Sequence, residues 1–558
     1  MAFATVWTGV HSRQQSGQRM AESGMNNGSY APRSLHLRLL MSTLLLVAAT
    51  ISFAAYFFYI VNFFYLSGAY FLDAGWYAYL VSRFEFPPSN PPSIQEVTGA
   101  PSYFAYHLSA VMPLWGALAE TVRLPPSFAF AALQGSFHAL LFLIGAGLAD
   151  DRSNTPSSVL FSLFFGGALA FSPVALGALG YPHHEILISI LFIATCYALS
   201  CDRLFFAVMA FVLMLLVRED AGFHAACFLG IYALGEWIAC RRLSRSAQFA
   251  IKLAAVGFAY CCIAFVIIKI FFPQIDTFKS VYAGQGFFNH LSVGFYRERL
   301  VGVFQKRPEL FVILLMPVVI GALRRDLSIF MGVGAILPWM ALNLSARRGP
   351  PGELFTYYAF PFLILLAWPW LVAALRQLDV HKDGELRRGV SGKTAVLWSM
   401  LWVLATAVYF VPMDQGERVA RMVSLQHLMS KFDLKVTQRV MTFVDSFSPL
   451  LAEPNIKVYV DDAMFSLLPD KARAANSLRN LMGEKNRFTA AGQPYILVYF
   501  TSYMQADDIQ KSDLVRKADE CFTVIGTNIR VVSSQAGDLM RTVPGSLVQE
   551  IDCMRLHS

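Results

Sequence analysis

Residues 39–61 read LLMSTLLLVAATISFAAYFFYIV, and this apolar run decides the class of fold. A second run, VLFSLFFGGALAFSPVALGALG, covers residues 159–180. A helix of about 20 apolar residues crosses the roughly 30 Å of hydrocarbon in a bilayer. Of the 558 residues, 56% are hydrophobic and 15% are charged, and the mean hydropathy is +0.49. These values exclude an ordinary soluble domain and predict a polytopic α-helical membrane protein.

The hydropathy pattern predicts about eleven transmembrane helices. Their approximate ranges are 38–66, 127–149, 156–180, 185–201, 204–217, 220–240, 248–272, 309–323, 327–345, 355–375 and 394–412. Residues 67–126 and 273–308 are the two long loops between them. The ranges 204–217 and 309–323 are short for a full crossing.

Basic residues occupy every second loop between these spans. They are Arg152, Arg203, Arg241, Arg242, Arg245, Arg324, Arg325 and the stretch from Arg376 to Lys393. This pattern follows the positive-inside rule, so the net charge of +8 does not indicate nucleic-acid binding. It predicts a cytoplasmic amino terminus and places loop 67–126 outside.

The two ends of the chain differ from the middle in composition. Residues 1–37 are polar and rich in Gly and Ser, which predicts a disordered cytoplasmic tail. No signal-peptide pattern is evident, so the first span of the transmembrane domain (38–412) is expected to be an anchor. From residue 413 the composition is that of a soluble protein, and IKVYV, PYILVYF and a hairpin around Thr527–Asn528 are predicted strands. We therefore expect residues 413–558 to form a small extracytoplasmic α/β domain.

Two features of this predicted domain have chemical interest. Cys521 and Cys553 are its only cysteines, and an oxidising compartment would allow them to form a disulfide. Asp461 and Asp462 follow the strand IKVYV, where they could bind a metal ion. A polar turn at the end of the strand is the favoured interpretation.

Ionisable residues follow the outer ends of several spans in the first half of the chain. They are Asp73, His107, His183, His184, Glu185, Arg218, Glu219 and Asp220. A charge next to hydrocarbon costs about 2.5–3.5 kcal/mol for Asp or Arg at a helix centre. Taken singly, each residue has a structural explanation, such as a helix cap, an interfacial histidine or a snorkelling charge. Their repeated occurrence at one depth favours a shared site.

Three further interpretations stay open at this level. His183 and Glu185 are acceptable ligands for a divalent metal. With His184 between them they are neighbours in sequence, and the three side chains cannot all point the same way. Arg347 and Arg348 lie in a loop that the span count places outside, against the positive-inside rule. They are either a clamp for phosphate or a solvated pair.

The order of these motifs resembles a bacterial membrane family known as domain of unknown function 2079, and more distantly the GT-C superfamily of polyprenyl-phosphate-dependent glycosyltransferases. The resemblance covers about residues 40–370. The matching residues are Asp73 and Gly75, His107 and Pro113, His183 and Glu185, the triplet Arg218, Glu219 and Asp220, and Tyr358 with Pro361. The family usually has a second acid shortly after the first, where this chain has Ala78 and Tyr79.

The resemblance implies a GT-C-like transmembrane domain in the bacterial inner membrane, with the carboxy-terminal domain in the periplasm. It implies a cell-envelope transferase that takes a sugar from a polyprenyl phosphate to an acceptor glycan, lipid or protein. Asp73 would be the catalytic base. The substrate-binding residues would be His107, His183, His184, Glu185, Arg218, Glu219, Asp220, Arg347, Arg348 and Tyr358, and a divalent metal is a candidate cofactor.

Two other functions fit the same composition. A transporter or channel would have charges near the bilayer midplane and inverted repeats. No clear repeat is present, and His138 is the one plausible mid-span ionisable residue in the first spans. A non-catalytic lipid-binding or assembly protein could use the same scaffold, and the sequence does not distinguish it from an enzyme.

Overall fold

The chain is described by a computed structural model over residues 35–551. Short gaps of one to three residues and longer gaps interrupt the described part; the longer gaps are 67–71, 150–155, 179–182, 355–363, 368–391, 408–433, 469–475, 479–493, 502–505 and 536–542. The predicted tail at 1–37 and the span at 355–375 therefore lie largely outside the described residues.

The described part is mainly helical up to residue 447. The helices are α1 (Leu35–Ile60), α2 (Leu72–Leu80), α3 (Val111–Thr121), α4 (Pro126–Ala149), α5 (Pro156–Ala170), α6 (Pro173–Ala178), α7 (Ile186–Ser200), α8 (Leu204–Leu215), α9 (Ala221–Cys240), α10 (Arg245–Phe271), α11 (Val293–Lys306), α12 (Pro308–Arg324), α13 (Leu327–Leu344), α14 (Gly392–Ala407) and α15 (Leu434–Phe447). A π-helical turn, Val61–Leu66, extends α1.

Three of the described helices are long and apolar enough to cross a membrane, namely the segments Ser42–Ile60, Pro126–Gly147 and Arg245–Phe271. The surface of α10 supports this interpretation, because large apolar side chains along it are exposed, including Ile251, Phe258 and Val266. Shorter apolar helices, among them α7 and α8, are also present in the described part. The structure is thus consistent with a membrane protein, whereas the number of eleven crossings stays a prediction.

A small mixed sheet forms the carboxy-terminal part. Its elements are β1 (Lys457–Val460), α16 (Asp462–Leu467), β2 (Asn476–Ser477), β3 (Tyr495–Phe500), α17 (Ala506–Gln510), α18 (Asp513–Arg516), β4 (Glu520–Val524), β5 (Ile529–Ser533) and β6 (Val548–Glu550). The strand order is β2-β1-β3-β5-β4-β6, with the first three strands parallel and the others antiparallel. The predicted hairpin is present as β4 and β5.

Side chains alternate between the two faces of this sheet, as they do in any strand. One face, with Val458, Val498 and Val531, belongs to the same buried cluster as the apolar helices of the first half of the chain. The other face, with Leu497 and Val532, has a small core of its own that includes residues of α17 and α18. The carboxy-terminal sheet therefore packs onto the helical part, while the boundary at residue 413 stays a prediction.

Asp461 has a structural role in this region. Its side chain accepts the backbone N–H of Met464 at 2.7 Å and caps α16, and it also accepts the N–H of Phe500 at 2.6 Å. This is the polar turn at the end of a strand that the sequence favoured.

Cys521 in β4 is disulfide-bonded. Cys553, its predicted partner, lies outside the described residues, but β6 pairs with β4 and the N–H of Ile551 donates to the carbonyl of Cys521 at 2.7 Å. We expect thiol labelling of the denatured, unreduced protein to modify neither cysteine, and reduction to destabilise the domain by about 3–4 kcal/mol. Stoichiometric labelling of Cys553 would contradict the pairing.

Candidate functional site

Asp73 lies in the first turn of α2, shortly after the π-helical turn that ends the first apolar helix. An acidic side chain is favoured there because it faces the positive end of the helix dipole. One carboxylate oxygen, Oδ2, lies 3.1 Å from Nε2 of His183. The side chain of Asp73 is 28% exposed, whereas that of His183 is only 7% exposed. Asp73 is therefore at the rim of the site and His183 is inside it.

His183 connects Asp73 to a second carboxylate. Its other ring nitrogen, Nδ1, lies 3.0 Å from Oε2 of Glu185, and the hydroxyl of Tyr77 lies 3.2 Å from the same nitrogen. A histidine that donates to a carboxylate from each nitrogen must be an imidazolium. Burial disfavours this charge, but the carboxylates of Glu185 and Asp73 outweigh it and raise the pKa of His183 to about 9.

Arg218 continues the same chain of charges. Its Nη1 lies 3.3 Å from Oε1 of Glu185, its Nε donates to Oδ1 of Asp220 at 2.6 Å, and its Nη2 donates to the other oxygen of Asp220. Burial opposes ionisation of Glu185, but His183 and Arg218 overcome it and hold the pKa of that carboxyl well below its usual range. Asp73, His183, Glu185, Arg218 and Asp220 thus form one continuous series of alternating charges, called here the ion chain.

Local backbone structure explains how these side chains meet. The helix α7 begins only at Ile186, so His183, His184 and Glu185 are not helical, and the side chains of His183 and Glu185 can face each other. Arg218 and Asp220 occupy the corner between α8 and α9. A side chain on Gly222 would collide with the backbone of Gly257, so glycine there allows α9 and α10 to pack closely beside this corner.

Glu219 points to a different part of the site. Its Oε1 lies 2.9 Å from Nδ1 of His107, and its Oε2 accepts the backbone N–H of Leu108 at 2.9 Å. The carboxylate is nearly buried and the His107 ring is 26% exposed. Glu219 therefore binds His107 and Leu108, in the segment that precedes α3. Of the pair Glu219 and His107, the histidine is the more exposed side chain.

His184 is fully buried, and neither ring nitrogen has a hydrogen-bond partner in the part of the chain described here. Burial lowers its pKa to about 4, so the ring is neutral. It packs against the rings of Tyr77 and Tyr103. His184 is thus beside the ion chain without being part of it.

Arg347 and Arg348, the other predicted site residues that the structure describes, make no hydrogen bond or ion pair with the ion chain. The backbone N–H groups of Arg347 and Arg348 donate to the carbonyl of Val281 at 3.0 and 3.3 Å, and both side chains are exposed. The guanidinium of Arg299 donates to the carbonyls of Ala346 and Arg347. Tyr358 lies outside the described residues.

Helix packing shows at which end of the protein this arginine pair lies. His224, in the first turn of α9, stacks on Trp339 near the end of α13 with a centroid distance of 4.2 Å. Further along α9, Ile231 lies beside Gly334, so the two helices are antiparallel. Arg347, three residues after α13, is therefore at the same end of the helices as Asp220.

The described residues do not favour a metal site. No group of three or more His, Cys, Asp or Glu side chains among them is arranged to hold an ion. His183 has a carboxylate at each ring nitrogen, and Glu185 is bound by His183 and Arg218. As an imidazolium His183 has no nitrogen lone pair to offer a metal, and both oxygens of Glu185 accept hydrogen bonds within the ion chain.

Three residues of the site were not predicted. Tyr77 is one helical turn after Asp73, and His224 is one turn after Asp220 with Nε2 at 3.5 Å from its carboxylate. Gln134 in α4 donates to the backbone carbonyl of His183 at 2.8 Å. The spacing of four residues from a predicted acid was a usable signal for the first two, whereas Gln134 had none.

The charge on His183 makes stability depend on pH. The pKa of His183 is about 9 in the folded protein and 6.5 in the free side chain, so its stabilising contribution is complete below about pH 6.5 and is lost as the pH rises through about 9. We expect the thermal unfolding midpoint of the wild type in detergent to fall between about pH 7 and pH 9.5 more steeply than that of His183→Gln. Parallel pH profiles would show that His183 is neutral in the folded protein.

Comparison with known proteins gives a limited result. No protein-family model and no curated protein sequence matches this chain. Among solved structures, it is similar to the apo form of the Archaeoglobus fulgidus oligosaccharyltransferase, with 11% identity and a TM-score of 0.41 over 92% of this chain and 77% of that one. The same enzyme tethered to an acceptor peptide with an NVT sequon gives 11% identity and a TM-score of 0.37, over 92% and 76% of the two chains. At these values the likeness does not establish function, which is inferred below from the side chains themselves.

Proposed function

We propose that this protein is a membrane-embedded glycosyltransferase that takes a sugar from a polyprenyl-phosphate donor at the outer face of the bacterial inner membrane. The observation that carries the proposal is the position of Asp73. Its carboxylate is at the rim of a buried ion chain, with one oxygen held by His183 and with part of the side chain exposed. A carboxylate held in this way beside the end of an apolar helix can meet both a lipid-linked donor and a water-soluble acceptor.

The reaction needs a base at this position. An acceptor hydroxyl is a weak nucleophile, so its proton passes to a carboxylate as its oxygen attacks the anomeric carbon and the bond to the phosphate breaks. A well-placed general base contributes about 10²–10⁴-fold to such a step. The imidazolium of His183 fixes the Oδ2 atom of Asp73 and leaves Oδ1 to take the proton.

The leaving phosphate needs cations, and the ion chain does not supply free ones. Its three carboxylates exceed its two cations, and Glu219 adds a further acid nearby. The charge of Arg218 is shared between Glu185 and Asp220. We therefore assign the phosphate to Arg347 and Arg348, whose exposed side chains lie at the same end of the helices. In this proposal Arg218 organises the acids and does not bind the donor.

The location of the charges supports an enzyme over a transporter. The ion chain is at helix ends, whereas transporters bind their substrates near the bilayer midplane, where helices are broken. Near the middle of α4, His138 is buried and stacked on the ring of Tyr56. A single stacked histidine does not form a path for ions.

The donor can be identified from lipids that co-purify with the protein. We expect mass spectrometry of the detergent-purified protein to find a polyprenyl phosphate enriched over the bulk lipids, and the enrichment to be lost in the double variant Arg347→Ala/Arg348→Ala. The matched control is Arg241→Ala/Arg242→Ala, a basic pair at the opposite end of α9, which should keep the lipid. Equal retention by both variants would contradict the phosphate assignment. Absence of any polyprenyl phosphate would contradict the donor class.

A further inference from the structure

The helix α16 of the carboxy-terminal part is buried along its last five residues. It has six residues, Asp462–Leu467, and the side chains from Ala463 to Leu467 are at most 2% exposed. A short helix on the surface of a soluble domain would expose one face to water. The burial of α16 shows that a second structure covers the face that the sheet leaves free.

The second structure is the part of the protein that carries the candidate base. On one side, α16 contacts β3 of the sheet. On the other side it contacts α2, the π-helical turn Val61–Leu66 and α4. The buried faces of both helices belong to one apolar cluster, which includes Ala74 and Ala78 of α2 with Met464 and Phe465 of α16. The helix α16 therefore lies between the sheet and the helix that bears Asp73.

Three hydrogen bonds support this arrangement. Asp461 is 1% exposed and binds the N–H groups of Met464 and Phe500, so it joins the start of α16 to the end of β3. The hydroxyl of Thr437 in α15 donates to Oδ1 of Asn62 in the π-helical turn at 3.0 Å. The helix α15, which precedes the sheet, is thus attached to the segment before α2, while α16 packs on α2 itself.

We propose that α16 positions Asp73, and that Phe465 and Asp461 are positioning residues of the reaction. The expected effect on turnover rests on the proposed function, whereas the expected effect on the position of α2 does not. A helix of nine residues is not stable by itself in water, so α2 depends on its neighbours for its place. A displacement of about 1 Å at a reacting group can reduce the rate by about 10²-fold. Loss of packing under α2 should therefore reduce kcat while leaving the donor KM almost unchanged.

The test compares two substitutions to alanine, each made in the full-length protein. Phe465→Ala removes a buried ring from α16, the helix that contacts α2, whereas Ile509→Ala removes a buried side chain from the opposite face of the sheet. We expect hydrogen exchange of the peptide covering residues 72–81 to accelerate at least tenfold in Phe465→Ala and to stay at the wild-type rate in Ile509→Ala. If transfer activity is present, kcat should fall 10–100-fold in Phe465→Ala only, and Phe465→Leu should restore most of it.

A milder variant covers the case in which Phe465→Ala does not fold. Asp461→Asn keeps the shape of the side chain and one acceptor oxygen, so it should raise exchange in residues 72–81 by a smaller factor. The positioning role would be overturned if the backbone amides of α2 exchanged hydrogen at the wild-type rate in both variants while those of the sheet exchanged faster. Faster exchange of α2 together with full activity of Asp73→Asn would leave the positioning of α2 intact and overturn the proposed function instead.

Discussion

Replacement of Asp73 by asparagine is expected to reduce glycosyl transfer by about 10²–10⁴-fold, the usual contribution of a general base. Asparagine has nearly the same size and can still accept a hydrogen bond from His183, so the site should keep its shape. It cannot take the proton of the acceptor hydroxyl. The measurement is single-turnover transfer from a polyprenyl-phosphate sugar in detergent, together with the amount of co-purified lipid.

The matched control for Asp73→Asn is Asp513→Asn in the first turn of α18, on the face of the sheet that does not pack on the helical part. Asp513 pairs with Arg516 in an exposed contact and makes no ion pair with the ion chain. This variant should keep full activity. Full activity of Asp73→Asn with normal lipid content would exclude Asp73 as the base.

Replacement of Arg218 by alanine is expected to destabilise the protein by about 3–5 kcal/mol, as is usual when one partner of a buried ion pair is removed. Glu185 and Asp220 would both lose their contact with the guanidinium. Their side chains are 5% and 15% exposed, so water replaces little of that contact. The loss should be visible as a lower unfolding midpoint in detergent at neutral pH.

A double-mutant cycle separates this effect from a simple loss of packing. Asp220→Ala removes one of the acids that Arg218 neutralises, so Arg218→Ala/Asp220→Ala should be clearly more stable than the sum of the two single effects predicts. Additive effects would mean that Arg218 and Asp220 do not interact in the folded protein, contrary to their contact here.

The sequence predicted the position of most described apolar helices and of four strands of the carboxy-terminal sheet, because both depend on local periodicity; the short strands β2 and β6 were not predicted. It also indicated that Asp73, His183, Glu185 and Arg218 lie at one depth, because each follows or precedes an apolar segment. It could not predict the hydrogen bonds among them. The contact between His183 and Asp73 joins residues 110 positions apart and depends on how α2 packs on the helices around it.

The surroundings of Arg218 show another limit of sequence reasoning. The resemblance placed Arg218 among the substrate-binding residues, and the sequence could not show that Glu185 and Asp220 share its charge. The helix α16 was missed for a different reason. Its six residues are too few to show a helical period, and the burial of residues 463–467 leaves no alternation of exposed and buried positions among them for a pattern to reveal.

The packing of α16 on α2 has a consequence for biosynthesis. The first apolar helices leave the ribosome several hundred residues before residues 461–467 are made, so α2 has no α16 to pack on during that time. Contacts between such distant parts of a chain form late and slowly. We expect that the nascent protein needs protection of this surface until α16 is made, and that chains truncated before β1 are degraded by cellular proteases even though the apolar helices described here are present.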